Sequence, residues 1–359
     1  MCIRDRATGE QCALAQVVRV EGSSYRREGA RMIVFESGIF EGGISGGCLE
    51  GDALKRSQLA ILKQEPSIIT YDTSKELEIG FGLGCNGIID VLLTPVTSDS
   101  KNIRTLEKCI SHRRTHIIVT ITASNLKEEA LKLGGSFYYD TDKKVLEGME
   151  SNETKNFILR KIDLVLEEGK SRSYTYTAEE GELDFHIELI PAQYHLAIYG
   201  DNYDVYPLIK LAELLDWEVS LVGNIQKLKK EHLKQVKNIY PKHLPERPEI
   251  DKRTAVILMA HDFKTDVENL KNTVISAAPY IASLGPKKRF EKIKHQFNEE
   301  GNSLSEKDLL RIHAPCGLEI GADSPEEIAL SICSEIISSF TGKEGGMLRN
   351  KTNPIHDRF

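Results

Sequence analysis

Tyr194-His195-Leu196-Ala197-Ile198-Tyr199-Gly200-Asp201-Asn202-Tyr203-Asp204-Val205 reads as a buried strand that halts at a glycine and turns into a helix. The helical pattern runs on through Leu208, Ile209, Leu211, Leu214 and Leu215. Working outward, the apolar runs at 217–222, 255–260 and 280–284 have strand length, with helices alternating between them. Parallel neighbours need long crossovers, so this alternation predicts a parallel sheet wound on both faces. Pro191 marks the start of the domain, and its element order predicts a Rossmann-like architecture over residues 191–341.

A dinucleotide site on that fold needs G-x-G-x-x-G/A after the first strand and an acidic residue at the end of the second. Gly200 stands alone, with Asn202 and Val205 at the other two places, and the second strand ends Leu221-Val222-Gly223-Asn224. NAD(P) is therefore not expected, although the fold is. Gly200, His261 and Asp262 are the site candidates of this domain. His261 and Asp262 follow a strand and offer either an acid–base pair or a hydrogen-bonded structural turn. No Ser-His-Asp order with a nucleophile elbow appears, and no H-E-x-x-H. Farther on, Ala314-Pro315-Cys316-Gly317-Leu318-Glu319-Ile320-Gly321-Ala322 is a turn-rich loop. Ser324 as N-cap, Pro325 at the first position and Glu327 at the third then open a helix with an apolar face at Ile328, Ile332, Ile336 and Ile337. Residues 342–359 read as a flexible tail.

Upstream, residues 7–190 are rich in short strands and turns and predict a mixed α+β domain. Gly22-Ser23-Ser24-Tyr25-Arg26-Arg27-Glu28-Gly29-Ala30 closes an apolar run, and 32–35 and 39–40 form a hairpin. Gly42-Gly43-Ile44-Ser45-Gly46-Gly47 then leads into Cys48-Leu49-Glu50 and a helical pattern at Leu54, Leu59, Ile61 and Leu62. A thiol before a helix N-terminus, behind a loop with little side-chain bulk, suits an anionic ligand and favours the thiolate. A tight turn with an inert cysteine is the bland alternative. A second cluster, Gly80-Phe81-Gly82-Leu83-Gly84-Cys85-Asn86-Gly87, also pairs glycines with a cysteine. It imitates a dinucleotide fingerprint but precedes a strand at 88–93, so no helix end would meet a pyrophosphate. Gly29 to Gly42 is echoed at Gly135 to Gly148, each stretch after a β-rich run. Two related hairpin units are expected, with the pocket loop in the first alone. A helix at 156–168 and a strand at 185–190 close this half.

The 359 residues allow two domains, and 40% hydrophobic with 28% charged residues is a soluble globular balance. A net charge of -7 without a basic block argues against nucleic acid, and no apolar run reaches the roughly 18 residues of a membrane span. Seven scattered cysteines without C-x-x-C argue against a disulfide framework or structural zinc. The first six residues lack an apolar h-region, so a cytoplasmic location is expected.

These residues resemble the xanthine dehydrogenase accessory proteins of the XdhC/CoxI type. The resemblance is carried by 22–30 with Gly46-Gly47-Cys48-Leu49-Glu50, by Gly82-Leu83-Gly84-Cys85-Asn86-Gly87, and by Gly317-Leu318-Glu319-Ile320-Gly321-Ala322 through Ile332. It implies a molybdenum-cofactor chaperone without turnover of its own. Such a protein binds the molybdopterin form, helps it receive sulfur from a cysteine desulfurase, and passes it to a molybdenum hydroxylase, often as a homodimer. By the same resemblance Cys48 and Cys85 are ligands or sulfur contacts, Gly42, Gly43, Gly46 and Gly47 a phosphate cradle, and Arg26 and Arg27 counter-charges. Ser23, Ser24, Glu50 and Gly84 complete the expected lining. Tyr25 stands where the family has proline, and Gly200-Asp201-Asn202-Tyr203 replaces its G-A-G-H. The family also begins with a helix, so residues 1–6 read as a truncated or non-native start. Two other readings stay open: an NAD(P)-dependent oxidoreductase using the Rossmann half, and a regulatory scaffold that kept the fold and lost the ligand.

Overall fold

The computed structural model describes residues 10–22, 24–72, 87–97, 100–149 and 153–352. The chain divides into two compact units, Met1–Ala192 and Gln193–Phe359.

The first unit begins with β1 (Cys12–Gly22), β2 (Arg31–Phe35) and β3 (Phe40–Gly42), a run of antiparallel neighbours. Helix α1 (Glu50–Lys63) follows, then β4 (Ser67–Asp72) and β5 (Gly87–Val96), and the sheet order is β3-β2-β1-β5-β4. After α2 (Lys101–Ser111) the same path repeats: β6 (His116–Ser124), β7 (Ser136–Asp140), β8 (Val145–Leu146), α3 (Glu153–Glu168), β9 (Arg172–Ala178) and β10 (Gly181–Ile190). The second sheet is ordered β8-β7-β6-β10-β9, the first order again. The echo in the sequence thus extends from a hairpin to a whole five-stranded frame.

Alternation along β1 sends Ala15 and Val17 to the core under α1 and Leu14, Gln16 and Val18 to the opposite face. That opposite face meets the second sheet: Gln16 Nε2 donates to Glu188 Oε2 (3.2 Å), and Ser173 Oγ donates to the Val18 carbonyl (3.2 Å). Helix α3 covers the far side of the second sheet with Ile158, Ile162 and Val165, spaced by one turn or nearly so. The expected apolar face of α1 needs correction. Leu59 and Leu62 are 54% and 80% exposed, whereas Ala53, Ser57, Ala60 and Ile61 are buried. Small residues let the helix lie close on the sheet and turn the leucines outward.

The second unit carries β11 (His195–Tyr199), α4 (Val205–Leu214), β12 (Glu218–Gly223), β13 (Asn238–Pro241), β14 (Thr254–Leu258), α5 (Phe263–Val274), β15 (Tyr280–Ser283), α6 (Lys287–Glu299), α7 (Glu306–Arg311), β16 (Ile312–His313) and α8 (Pro325–Thr341). Six parallel strands are ordered β13-β12-β11-β14-β15-β16, the doubly wound arrangement predicted from the alternation. Leu196 and Ile198 face the core beneath α4 and α8, and Ala197 and Tyr199 the core beneath α5 and α6. In α8 the inward residues are Ala329, Ile332, Cys333 and Ile336, and Ile337 is 38% exposed. Among the described residues no helix is long and apolar enough to cross a membrane.

Candidate functional site

The loop between β3 and α1 is built around Ser45 and Glu50. Gly42 takes φ +85°, and a Cβ there would lie 2.5 Å from the Arg31 carbonyl oxygen, so only glycine lets the chain fold back. The Gly43 amide then donates to that carbonyl (3.0 Å), and fully buried Ile44 anchors the loop. Glu50 Oε1 accepts from the amides of Ser45 (2.8 Å) and Ile44 (3.2 Å), and Oε2 accepts from the Ser45 hydroxyl. Ser45 Oγ accepts in turn from the amides of Leu49 (3.1 Å) and Gly47 (3.2 Å), and the Cys48 thiol points to it at 3.5 Å. Burial acts to raise the Glu50 pKa, but the Ser45 hydroxyl and the amides of Ser45, Glu50 and Ile44 outweigh it and hold the group below the usual carboxylate value. Glu50 is therefore an ionised strut inside the loop, with both oxygens turned back on the chain.

What the strut presents is open backbone. Gly46 and Gly47 are exposed, Cys48 is half-buried, and a Cβ on Gly47 would meet nothing within 4 Å. Among the described residues the Gly46 and Cys48 amides have no acceptor in the protein. The loop approaches the N-terminus of a 14-residue helix, whose dipole favours negative charge. The 22–30 segment lies against it: a Cβ on Gly46 would sit 3.3 Å from Cγ of Tyr25. Ser24 Oγ donates to the Arg26 carbonyl (2.7 Å), tightening that turn. Arg26 and Arg27 are exposed and have no acidic partner among the described residues. Ser24, Arg26, Arg27, Gly42, Gly43, Gly46, Gly47, Cys48 and Glu50 thus belong to two touching segments. Ser23, Gly84 and Cys85 lie outside the described residues. Ser45, the hub, escaped the sequence reading; its signal was a hydroxyl residue inside a glycine run, five positions before an acid.

In the second unit Gly200 allows the turn after β11 to pass the turn after β14, since a Cβ would come within 2.7 Å of the Met259 carbonyl oxygen. Asp201 Oδ2 accepts from the Asn224 amide (3.0 Å), and Oδ1 pairs with Lys227 Nζ (2.9 Å). His261, at φ 58°, turns to Asp204, with Nε2 2.5 Å from Oδ2. Asp262 instead caps α5, accepting from the Thr265 amide (2.9 Å) and hydroxyl (2.5 Å). Those Thr265 hydrogen bonds hold the Asp262 carboxyl below its usual value. His261 and Asp262 therefore serve different partners and do not act on each other. Among the described residues no cluster of His, Cys, Asp and Glu is placed to hold a metal ion.

A twinned antiparallel unit with a thiol-bearing glycine loop, joined in sequence to a doubly wound parallel unit, defines the class. The description "XdhC and CoxI family" matches residues 5–72, and "XdhC Rossmann domain" matches residues 196–336, together more than half of the chain. The chain belongs to the XdhC/CoxI family. It is 25% identical to a probable xanthine dehydrogenase subunit from Bacillus subtilis (strain 168) over 339 residues, covering 92% of this chain and 93% of that protein. It is 29% identical to the uncharacterized protein YqeB of Escherichia coli (strain K12) over 89 residues, 25% of this chain and 16% of that one. A crystal structure described as a xanthine dehydrogenase from Bacillus halodurans superposes with a TM-score of 0.71 at 26% identity, covering 96% of each chain.

Proposed function

We propose that this protein is an accessory factor in the maturation of a xanthine dehydrogenase-type molybdenum hydroxylase, carrying a phosphorylated pterin form of the molybdenum cofactor as cargo. One observation carries the reading: a thiol and acceptor-free amides in a loop braced by Glu50, with uncompensated guanidinium groups on the touching segment. The pterin phosphate meets the Gly46 and Cys48 amides and pairs with Arg26 or Arg27, whose planar forks suit a phosphate. The Cys48 sulfur faces the metal end while sulfur arrives from a cysteine desulfurase. The cargo then passes to the hydroxylase in the cytoplasm, from a homodimeric carrier. The family membership of the chain, and its likeness over 92% of its length to a probable xanthine dehydrogenase subunit, support the partner.

The test is cofactor retention. The protein is purified from cells that make the cofactor, oxidised, and assayed for pterin fluorescence beside Cys48→Ala and the double variant Arg26→Ala/Arg27→Ala. Pterin in the parent and its loss in both variants is the expected result. Equal pterin in all three, or none in the parent, refutes the reading.

A further inference from the structure

We infer that the second antiparallel frame, which carries no thiol loop, aims the arginine turn of the first, with Glu188 as the positioning residue. The cargo that this turn meets is the one proposed above, and the role of Glu188 rests on that reading. Arg26 and Arg27 are exposed, and where their guanidinium groups can reach is fixed by the backbone that carries them. That backbone is a tight turn. The Ala30 amide donates to the Arg27 carbonyl (3.1 Å), and Gly29 in the third place takes φ +87°, the pattern of a type II turn. Ties to β1 hold one side of it. The Gly29 amide donates to the Val17 carbonyl (2.8 Å), the Val17 amide to the Ala30 carbonyl (2.9 Å), and the Val20 amide to Glu28 Oε1 (3.1 Å).

Another tie reaches the turn from β10. Arg31 Nη1 donates both to the Gly29 carbonyl (2.9 Å) and to Glu188 Oε1 (2.7 Å), while Nη2 donates to Glu188 Oε2. One nitrogen thus serves the turn and the carboxylate at once. The carboxylate sets where the fork lies, and the fork sets the Gly29 carbonyl. Gln16 Nε2 in turn steadies Glu188 Oε2 (3.2 Å). A second observation is steric. A Cβ on Gly29 would lie 2.6 Å from Glu188 Oε1, so glycine is needed there both for its φ and for the carboxylate to press against the turn. An ion pair that only joined the two sheets would have no need to touch Gly29. Strand β9 adds a contact at the β1 bulge beside Val17. Ser173 Oγ donates to the Val18 carbonyl (3.2 Å), and with its single proton spent there it accepts from His186 Nδ1 (2.9 Å). Because Glu188 engages both terminal nitrogens of Arg31, that cation is committed to bracing, and Arg26 and Arg27 are left to meet a phosphate.

Arg31→Lys separates positioning from simple cohesion, since a lysine keeps a charge for Glu188 but cannot span Gly29 and both carboxylate oxygens. Amide hydrogen exchange and pterin content are read on the full chain for the parent, Glu188→Gln, Arg31→Lys and Ile162→Ala. The last removes buried bulk from α3 over the same sheet and serves as a stability control. Exchange at the Gly29 and Ala30 amides is expected to quicken by about tenfold in Glu188→Gln and Arg31→Lys, and retained pterin to fall by about tenfold. Ile162→Ala should lower the melting temperature yet leave both readings at the parental level. Parental exchange at Gly29 and Ala30 in both network variants, or the same change in Ile162→Ala, overturns the proposal. Parental pterin content in a variant whose turn exchanges faster overturns it too. Exchange is measured without cargo, so it judges the brace even where a parent lacking pterin has refuted the cargo reading.

Discussion

Glu50 is the residue on which the thiol loop turns. Its replacement by alanine strands the Ser45 hydroxyl and two amides, and a loss of about 2–4 kcal/mol is expected in urea unfolding. Its pKa is lower in the folded chain than its ordinary 4.5, so its contribution is present above that value and is lost as pH falls through the folded one. Glu50→Gln should therefore flatten the acid side of the stability profile. At Gly42 the φ of +85° and the neighbouring Arg31 carbonyl make Gly42→Ala cost more than about 1 kcal/mol by the same measurement. At this scale the sequence was legible where residue type limits the options: dense glycine, one thiol, one helix start. Ser45 was passed over although its partners Gly47, Leu49 and Glu50 are local, and the Tyr25 contact was not legible because a ring carries no mark of which distant backbone it will meet.

Elements were legible wherever their signals are local. The Ser324-Pro325-Glu326-Glu327 cap of α8 forms as a capping box, and Ser324→Ala should lower stability by about 1 kcal/mol. The face of α1 was misjudged because large apolar residues were weighted over small ones, and close packing on a sheet selects the small. Glu335 on the same α8 ties elements that no local pattern connects. It accepts from the Tyr280 hydroxyl (2.6 Å) and the Gly317 amide (2.7 Å), and pairs with His313 Nδ1 (3.1 Å). Burial pushes its carboxyl upward, but the hydrogen bonds from His313, Tyr280 and Gly317 prevail and bring it to about 2. The stabilisation holds above the ordinary 4.5 and disappears as pH falls toward 2. Glu335→Gln is expected to cost about 2 kcal/mol near neutrality and to abolish that acid-side slope, read by thermal melts over the acid range.

For the whole chain, strand alternation was enough to read the parallel unit, since helix crossovers leave few arrangements open. The antiparallel unit was legible only as an echo, because β5 pairs with β1 and β10 with β6, pairings remote in sequence. Between the two sheets, Glu188 receives both terminal nitrogens of Arg31 together with Gln16, and is itself only 5% exposed. Glu188→Ala leaves a guanidinium without its counter-ion, and a cost of about 3–5 kcal/mol is expected in denaturant unfolding.

One consequence of the matching strand orders concerns copy number. The frame from β6 to β10 repeats the strand order of the first, yet between β8 and α3 the sequence carries Gly148 alone and no cysteine. If the glycine loop is the berth proposed above, a copy of residues 43–49 placed between β8 and α3 is expected to raise the pterin-to-protein ratio of the purified protein.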